Sequence, residues 1–274
     1  MPPDARGPQT VGALVADLSR GDSSRPAVTW VDPANGARVE LSIATLANWV
    51  AKTGGLLQDG LDVEPGDRVR LSLPTHWLAV TWALGCWVVG AVIEPADAEP
   101  PDAGDPEVEV FGDDRDPSTA ARGVVVGLGA FGGSVRNRVR DTVRNTVRDQ
   151  RTGVLDAGAE VLGYPDELFV ADPPAPTSAA LSVGGGGVPI EHAQLLGQAR
   201  AAAAQMGLRH GGRLLAGAAP CDRAGLVHSV LAPLLAGGSV LLVRDRKAVE
   251  AAGGLTELAA RERVDVVAPL GSPT

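Results

Sequence analysis

The sequence has 274 residues, with 33 acidic against 24 basic side chains and a formal charge of −9 at neutral pH. That length accommodates one large or two modest domains with a sizeable core. The acidic balance argues against a general nucleic-acid or anionic-membrane binder, which needs a basic face.

Three Phe and one Tyr leave the core to be built mainly from Ala, Val and Leu. Cys86 and Cys221 sit in apolar surroundings without metal-ligand spacing, and read as buried free thiols in a reducing compartment. The N-terminal stretch lacks the basic-flanked apolar core of a signal peptide. No uncharged apolar run approaches the roughly 20 residues of a bilayer span, so a soluble, cytoplasmic protein is expected.

Residues 1–10 read as a disordered leader, followed by an amphipathic helix from Val11 to Leu18. Ala27–Val31 and Arg38–Leu41 are β-rich runs around the turn Asp32-Pro33-Ala34-Asn35-Gly36, the pattern of a hairpin. Ser42 is placed to cap a helix with Leu46, Trp49, Val50 and Leu57 at helical spacing and Gly54-Gly55 weakening its middle. Arg68–Leu73 alternates as a strand that Pro74 ends. Trp77–Val89 is an apolar helix stopped by Gly90, with Trp77, Trp82 and Trp87 as packing residues, and Ala91–Pro95 is the next buried strand. The order β-β-α-β-α-β predicts a mainly parallel α/β sheet with crossover helices.

From Ala96 to Gly104 the chain is acidic and proline-rich, as at a boundary or surface loop; Val108–Phe111 and Gly123–Leu128 are further strand candidates. Val135 to Gln150 is a tandem repeat, V-R-N-R, V-R-D-T, V-R-N-T, V-R-D-Q. A basic helix of this kind can meet nucleic acid or acidic lipid. The short repeat reads instead as a tolerated surface insertion, and neither nucleic acid nor membrane is expected as a partner. Residues 151–176 are loop-rich. The organisation expected is a first α/β lobe over 1–104, a connecting segment over 105–175 and a second α/β lobe over 176–274.

That second lobe opens on Pro176 to Leu196, where a short apolar run ends at Val183, four glycines follow, and a helix is expected from Pro189 to Met206. Strand, glycine loop and helix N-terminus together can cradle a phosphate, because glycine lets backbone N–H groups approach an anion and the helix end supplies about half a positive charge. The plain alternative is a tight turn with no ligand. No Lys follows the glycines as it does in G-x-x-x-x-G-K-[ST], and Glu191, in the first helical turn, would repel a phosphate. Downstream, Arg213–Ala216, Ser239–Val243 and Val264–Leu270 read as strands, and Ala224–Leu235 and Ala248–Arg263 as helices. His76, His192, His210 and His228 form no metal-ligand pattern. Asp222-Arg223 reads either as a carboxylate with its activator or as an exposed ion pair at a helix start.

Two blocks of the sequence resemble the N-terminal part of the adenylate-forming superfamily, the AMP-dependent synthetases that include the acyl-CoA synthetases. The first holds Arg25-Pro26-Ala27, Gly66-Asp67-Arg68-Val69, Leu73-Pro74, Trp77–Val89 and Gly90-Ala91-Val92. The second holds Gly187-Val188-Pro189-Ile190-Glu191-His192-Ala193-Gln194-Leu195-Leu196, Gly207-Leu208, Gly211-Gly212-Arg213, Leu231–Val240 and Glu262–Val266. The resemblance implies layered, mainly parallel sheets with flanking helices and ATP or AMP as a cofactor. It further implies a phosphate loop at Ser182, Gly184, Gly185, Gly186 and Gly187, and an acyl or nucleotide pocket at His192, Asp222, Arg223 and Gly225.

The departures from that family set the functional expectation. Only Ser178 and Ser182 remain of the loop's hydroxyls, and Gly186 stands where the family's Lys would fall. The sequence stops before the family's adenine-binding motif, ribose-binding Asp, hinge and C-terminal domain with its catalytic Lys. The resemblance therefore implies a truncated, actinobacterial-type offshoot: a pseudo-enzyme keeping a residual nucleotide or acyl pocket, with no catalytic residue assigned. Two alternatives stand beside it, an AMP-forming ligase half completed by another chain and a non-catalytic scaffold. A free sheet edge at Val264–Leu270 predicts a homodimer or protein partner through the C-terminal lobe, using Val266, Val267 and Leu270.

Overall fold

The computed structural model describes residues 7–98, 104–114, 122–135 and 154–270. Most of the Val135–Gln150 repeat lies outside them; Val135 itself is buried against Phe111 and Val125.

The first helix, α1 (Val11–Arg20), starts where the Thr10 side chain accepts the Ala13 N–H. β1 (Pro26–Asp32) and β2 (Ala37–Ser42) then form the expected antiparallel hairpin, its turn held by Asp32 accepting from Ala34 and Asn35. Ser42 caps α2 (Ile43–Gly55) by accepting the Thr45 N–H. Gly54 and Gly55 fall near the end of that helix rather than in its middle, and the chain continues as a π turn over Leu56–Gly60. Their lack of a side chain admits Leu168 and Tyr164: a Cβ on Gly55 would stand 2.9 Å from the Tyr164 ring.

β3 (Arg68–Ser72), α3 (Trp77–Val89) and β4 (Val92–Glu94) follow as one crossover unit. All but one residue of α3 is buried, as befits a helix apolar all round, and it packs against β1 as well as against β3 and β4. The indole N–H groups of Trp77 and Trp87 donate to the carbonyls of Ala130 and Ala180, and that of Trp30 to Thr75, so each large ring is buried with its polar atom satisfied. Gly90 ends the helix at φ +88°, where a Cβ would be strained.

β5 (Val108–Gly112), β6 (Arg122–Val126) and β7 (Val154–Asp156) extend this sheet, the last of them within a stretch expected to be loop-rich. A short helix, α4 (Ala157–Glu160), follows β7. β8 (Ala179–Leu181) leads through the glycine loop to β9 (Ile190–Glu191) and α5 (His192–Gln205). β10 (Arg213–Leu215) precedes α6, a helical run of Arg223–Gly225, a π-helical Leu226–Leu231 and Ala232–Leu235. After β11 (Ser239–Val243), the single helix expected over Ala248–Arg263 is two: α7 (Arg246–Ala251) and α8 (Leu255–Arg261), separated at Gly253-Gly254. Only Val266–Val267, β12, pairs as a strand in the last expected run.

The strands form two sheets, β12-β10-β11-β1-β2 and β7-β6-β5-β3-β4-β8-β9, parallel throughout except for the hairpins β1–β2 and β8–β9. The fold is α/β, with helices flanking mostly parallel sheets. β12 lies at the edge of its sheet. There Val266 packs on the main core, Val267 is 47% exposed, and Leu270 lines the cleft described below. Among the described residues no helix is long and apolar enough to cross a membrane.

Candidate functional site

The C-terminal ends of strands from both sheets open onto one cleft of about 1070 Å³. β4 delivers Pro95 and Asp97, β8 delivers Ser182 and Val183, β10 delivers Ala216–Ala219, and β11 delivers Val243 and Asp245–Lys247. Parallel strands expose their last residues here because each chain leaves the sheet into a loop at that end, the usual ligand position in open α/β sheets. Gln198 and Gln205 of α5, with Arg223 and His228 of α6, form walls.

The wall between the sheets is tied by backbone. Ala96 donates its N–H to the Cys221 carbonyl at 2.9 Å, and Arg223 donates its N–H to Asp97 Oδ1 at 2.9 Å. Gly225 is buried where α6 crosses the Ala219–Pro220 backbone, a contact that leaves no room for a Cβ. Burial and then the neighbouring Asp97 carboxylate raise Asp222 above the usual Asp range. Cys221, fully buried beneath this wall, is pushed up to about 12 by burial and stays a thiol. On the side of β10 and β11, Arg246 donates from Nη1 to the Ala216 carbonyl at 2.7 Å, and burial lowers its pKa without discharging it. Among the described residues no group of three or more His, Cys, Asp or Glu side chains is placed to hold a metal ion.

Of the residues singled out from the sequence, Ser182, Asp222 and Arg223 line the cleft, and Gly225 supports its wall. His192 does not line it. It is fully buried, with Nδ1 accepting the Val11 N–H at 3.4 Å, and burial lowers it to about 4, so it joins α5 to α1 as a neutral ring.

Gly184, Gly185, Gly186 and Gly187 lie outside the lining. They close the β8–β9 hairpin, with φ of +72°, +56° and +70° at the first three, so consecutive left-handed residues account for glycine there. The expected run from glycines into a helix N-terminus is replaced by β9, because Ile190 pairs with Leu181; α5 begins at His192, with Glu191 as its N-cap.

Asp97, His228, Arg246 and Lys247 are among the cleft residues that carried no motif. For Asp97, Arg246 and Lys247 the available signal was position, since each follows the C-terminal end of a strand that the sequence already marks.

The chain is 34% identical over 232 residues to a Mycobacterium tuberculosis protein described as a TIGR03089 family protein, a match covering 85% of this chain and 88% of that one. No protein-family model matches it. Its fold is similar to that of part of a Brucella canis acyl-CoA synthetase, with a TM-score of 0.72 at 19% identity over 95% of this chain and 47% of the other. A Mycobacterium tuberculosis fatty acyl-CoA synthetase gives 0.64 at 15% identity, over 93% and 48% of the two chains. An anthranilate-CoA ligase solved with anthranoyl-AMP gives 0.67 at 17% identity, over 89% and 46%. The chain thus spans about half the length of these structures, and the likeness is one of fold.

Proposed function

This chain belongs to the TIGR03089 family, and from that premise we propose that it binds a nucleotide or acyl compound in the cleft at its strand ends without catalysing adenylation by itself. One observation carries this reading: a large cleft is kept, while the glycine loop meets it only through Ser182 and Val183 and brings no cation to it. Formation of an acyl-adenylate depends on positioning the triphosphate and stabilising charge as the α-phosphate is attacked. A loop of bare glycines turned into a hairpin supplies neither. The buried thiols Cys86 and Cys221 fit a reducing, cytoplasmic setting.

The test is thermal-shift measurement with ATP, AMP, an acyl-AMP and CoA, run beside ATP–pyrophosphate exchange with common carboxylates. Stabilisation by one of these ligands without exchange is expected. Exchange above background that disappears in Ser182→Ala would overturn the reading. A second reading, a ligase half completed by another polypeptide, is favoured by the cations Arg223, Arg246 and Lys247 in the cleft. It requires exchange that depends on one of those side chains.

A further inference from the structure

Each wall of the cleft carries both signs of charge, with Arg223 beside the acids at α6 and Asp245 beside the bases at α7. Asp97 and Asp222 stand together at the start of α6, where Asp97 is engaged by the Arg223 N–H. Asp245 caps α7 by accepting the Ala248 N–H at 3.2 Å. Arg246 and Lys247 follow directly, beside the ends of β10 and β11.

Arg246 is only 8% exposed, yet among the described residues it makes one hydrogen bond, to a carbonyl, and its buried Nε has no partner there. No carboxylate of those residues lies within ion-pair distance of Arg246 or Lys247. A guanidinium carries five donors, and taking one from water is costly; the charge of Glu250, one turn along α7, offsets only part of that cost, since burial outweighs it. Such an arrangement suits a ligand that brings the anion.

We propose that Arg246, backed by Lys247, is the anion-binding pole of the cleft. The ligand then carries a carboxylate or phosphate placed beside the ends of β10 and β11 rather than on the glycine loop. This rests on the cleft being a ligand site, as proposed above. The planar fork of Arg246 matches the paired oxygens of either group, and Lys247 adds a mobile point charge.

The experiment is isothermal titration of the full chain with two matched pairs: AMP against adenosine for phosphate, and hexanoate against hexanamide for carboxylate. In the wild type one anion should bind at least about tenfold tighter than its neutral partner, and which one does so identifies the ligand class. Arg246→Gln and Lys247→Met should each weaken that anion by about tenfold and leave the neutral compound unchanged. Should Arg246→Gln fail to fold, Arg246→Lys and Lys247→Met carry the same test, since Lys247 is exposed. A neutral compound binding as tightly as its anion, or variants that do not alter anion affinity, overturns the anion pole and leaves the ligand cleft standing. Binding of none of the four compounds to the wild type overturns the anion pole, and overturns the ligand cleft as well if ATP, acyl-AMP and CoA also fail to stabilise the protein.

Discussion

The Asp97 carboxylate accepts the backbone N–H of Arg223 at 2.9 Å, fastening the loop after β4 to the first turn of α6 from a position 126 residues earlier in the chain. With the Ala96–Cys221 backbone bond beside it, this contact sets the wall that carries Asp222 and Arg223. Asp97→Ala leaves that N–H without its acceptor and is expected to cost about 0.5–1.5 kcal/mol in urea denaturation. It should also move the Asp222 titration down, because a neighbouring negative charge is gone. Unchanged stability together with an unchanged Asp222 titration would show that the wall is held by other contacts.

Asp222 itself gives a pH-dependent outcome. Burial, then Asp97, holds its carboxyl above the ordinary range, so the folded state keeps a proton that the unfolded chain has released. Stability from this group therefore falls as pH rises from about 3.9 through the higher folded value. Asp222→Asn removes the ionisation and retains the shape. At pH 7 the variant should be at least as stable as the wild type, with the difference closing as pH drops below the ordinary Asp range. A variant clearly less stable at pH 7 would mean that the ionised carboxylate has a stabilising partner.

The buried histidines act in the opposite sense. Burial lowers His192 to about 4, and burial followed by the charge of Arg244 lowers His76 to about 3. Both rings are neutral when folded but take up a proton near 6.5 when unfolded, so their contribution is present above that pH and is lost as pH falls toward the folded values. His192→Asn retains an acceptor for the Val11 N–H and cannot titrate. Its stability should vary less with pH between about 4 and 6.5 than that of the wild type. Equal slopes for the two proteins would assign the acid sensitivity elsewhere.

Much of the fold was legible where local chemistry is unambiguous. α3 coincides with the apolar run Trp77–Val89 because its stop, Gly90, adopts a conformation that disfavours other residues. The β1–β2 hairpin follows from its Asp-Pro-Ala-Asn-Gly turn. Strand partnership was not legible: β1 pairs with β11, and no periodicity links Val28 to Val240. The start of α5 was displaced for a similar reason, since Ile190 gives up helical conformation to pair with Leu181. Arg246 escaped notice because a charged residue after a strand looks exposed in sequence, and its burial exists only once Ala216 is brought beside it.

Two glycines separate the roles of the loop and of α6. A Cβ at Gly225 would lie 1.6 Å from the Ala219 carbonyl oxygen and 2.5 Å from its carbon, so backbone must move to accept it. The segment that moves is the first turn of α6, next to Asp222 and Arg223. Gly186 has φ +70°, and a methyl group there would find nothing within 4 Å, so alanine meets only the strain of the left-handed region. Gly186→Ala should therefore cost roughly 1–2 kcal/mol and leave ligand affinity in the cleft near that of the wild type. Gly225→Ala should cost about 1–3 kcal/mol and weaken binding as well, because the wall it supports is displaced. Denaturation and titration with the same ligand, carried out on both variants, read the two effects apart. Stronger loss of binding in Gly186→Ala than in Gly225→Ala would make the glycine loop, and not α6, the wall that the ligand meets.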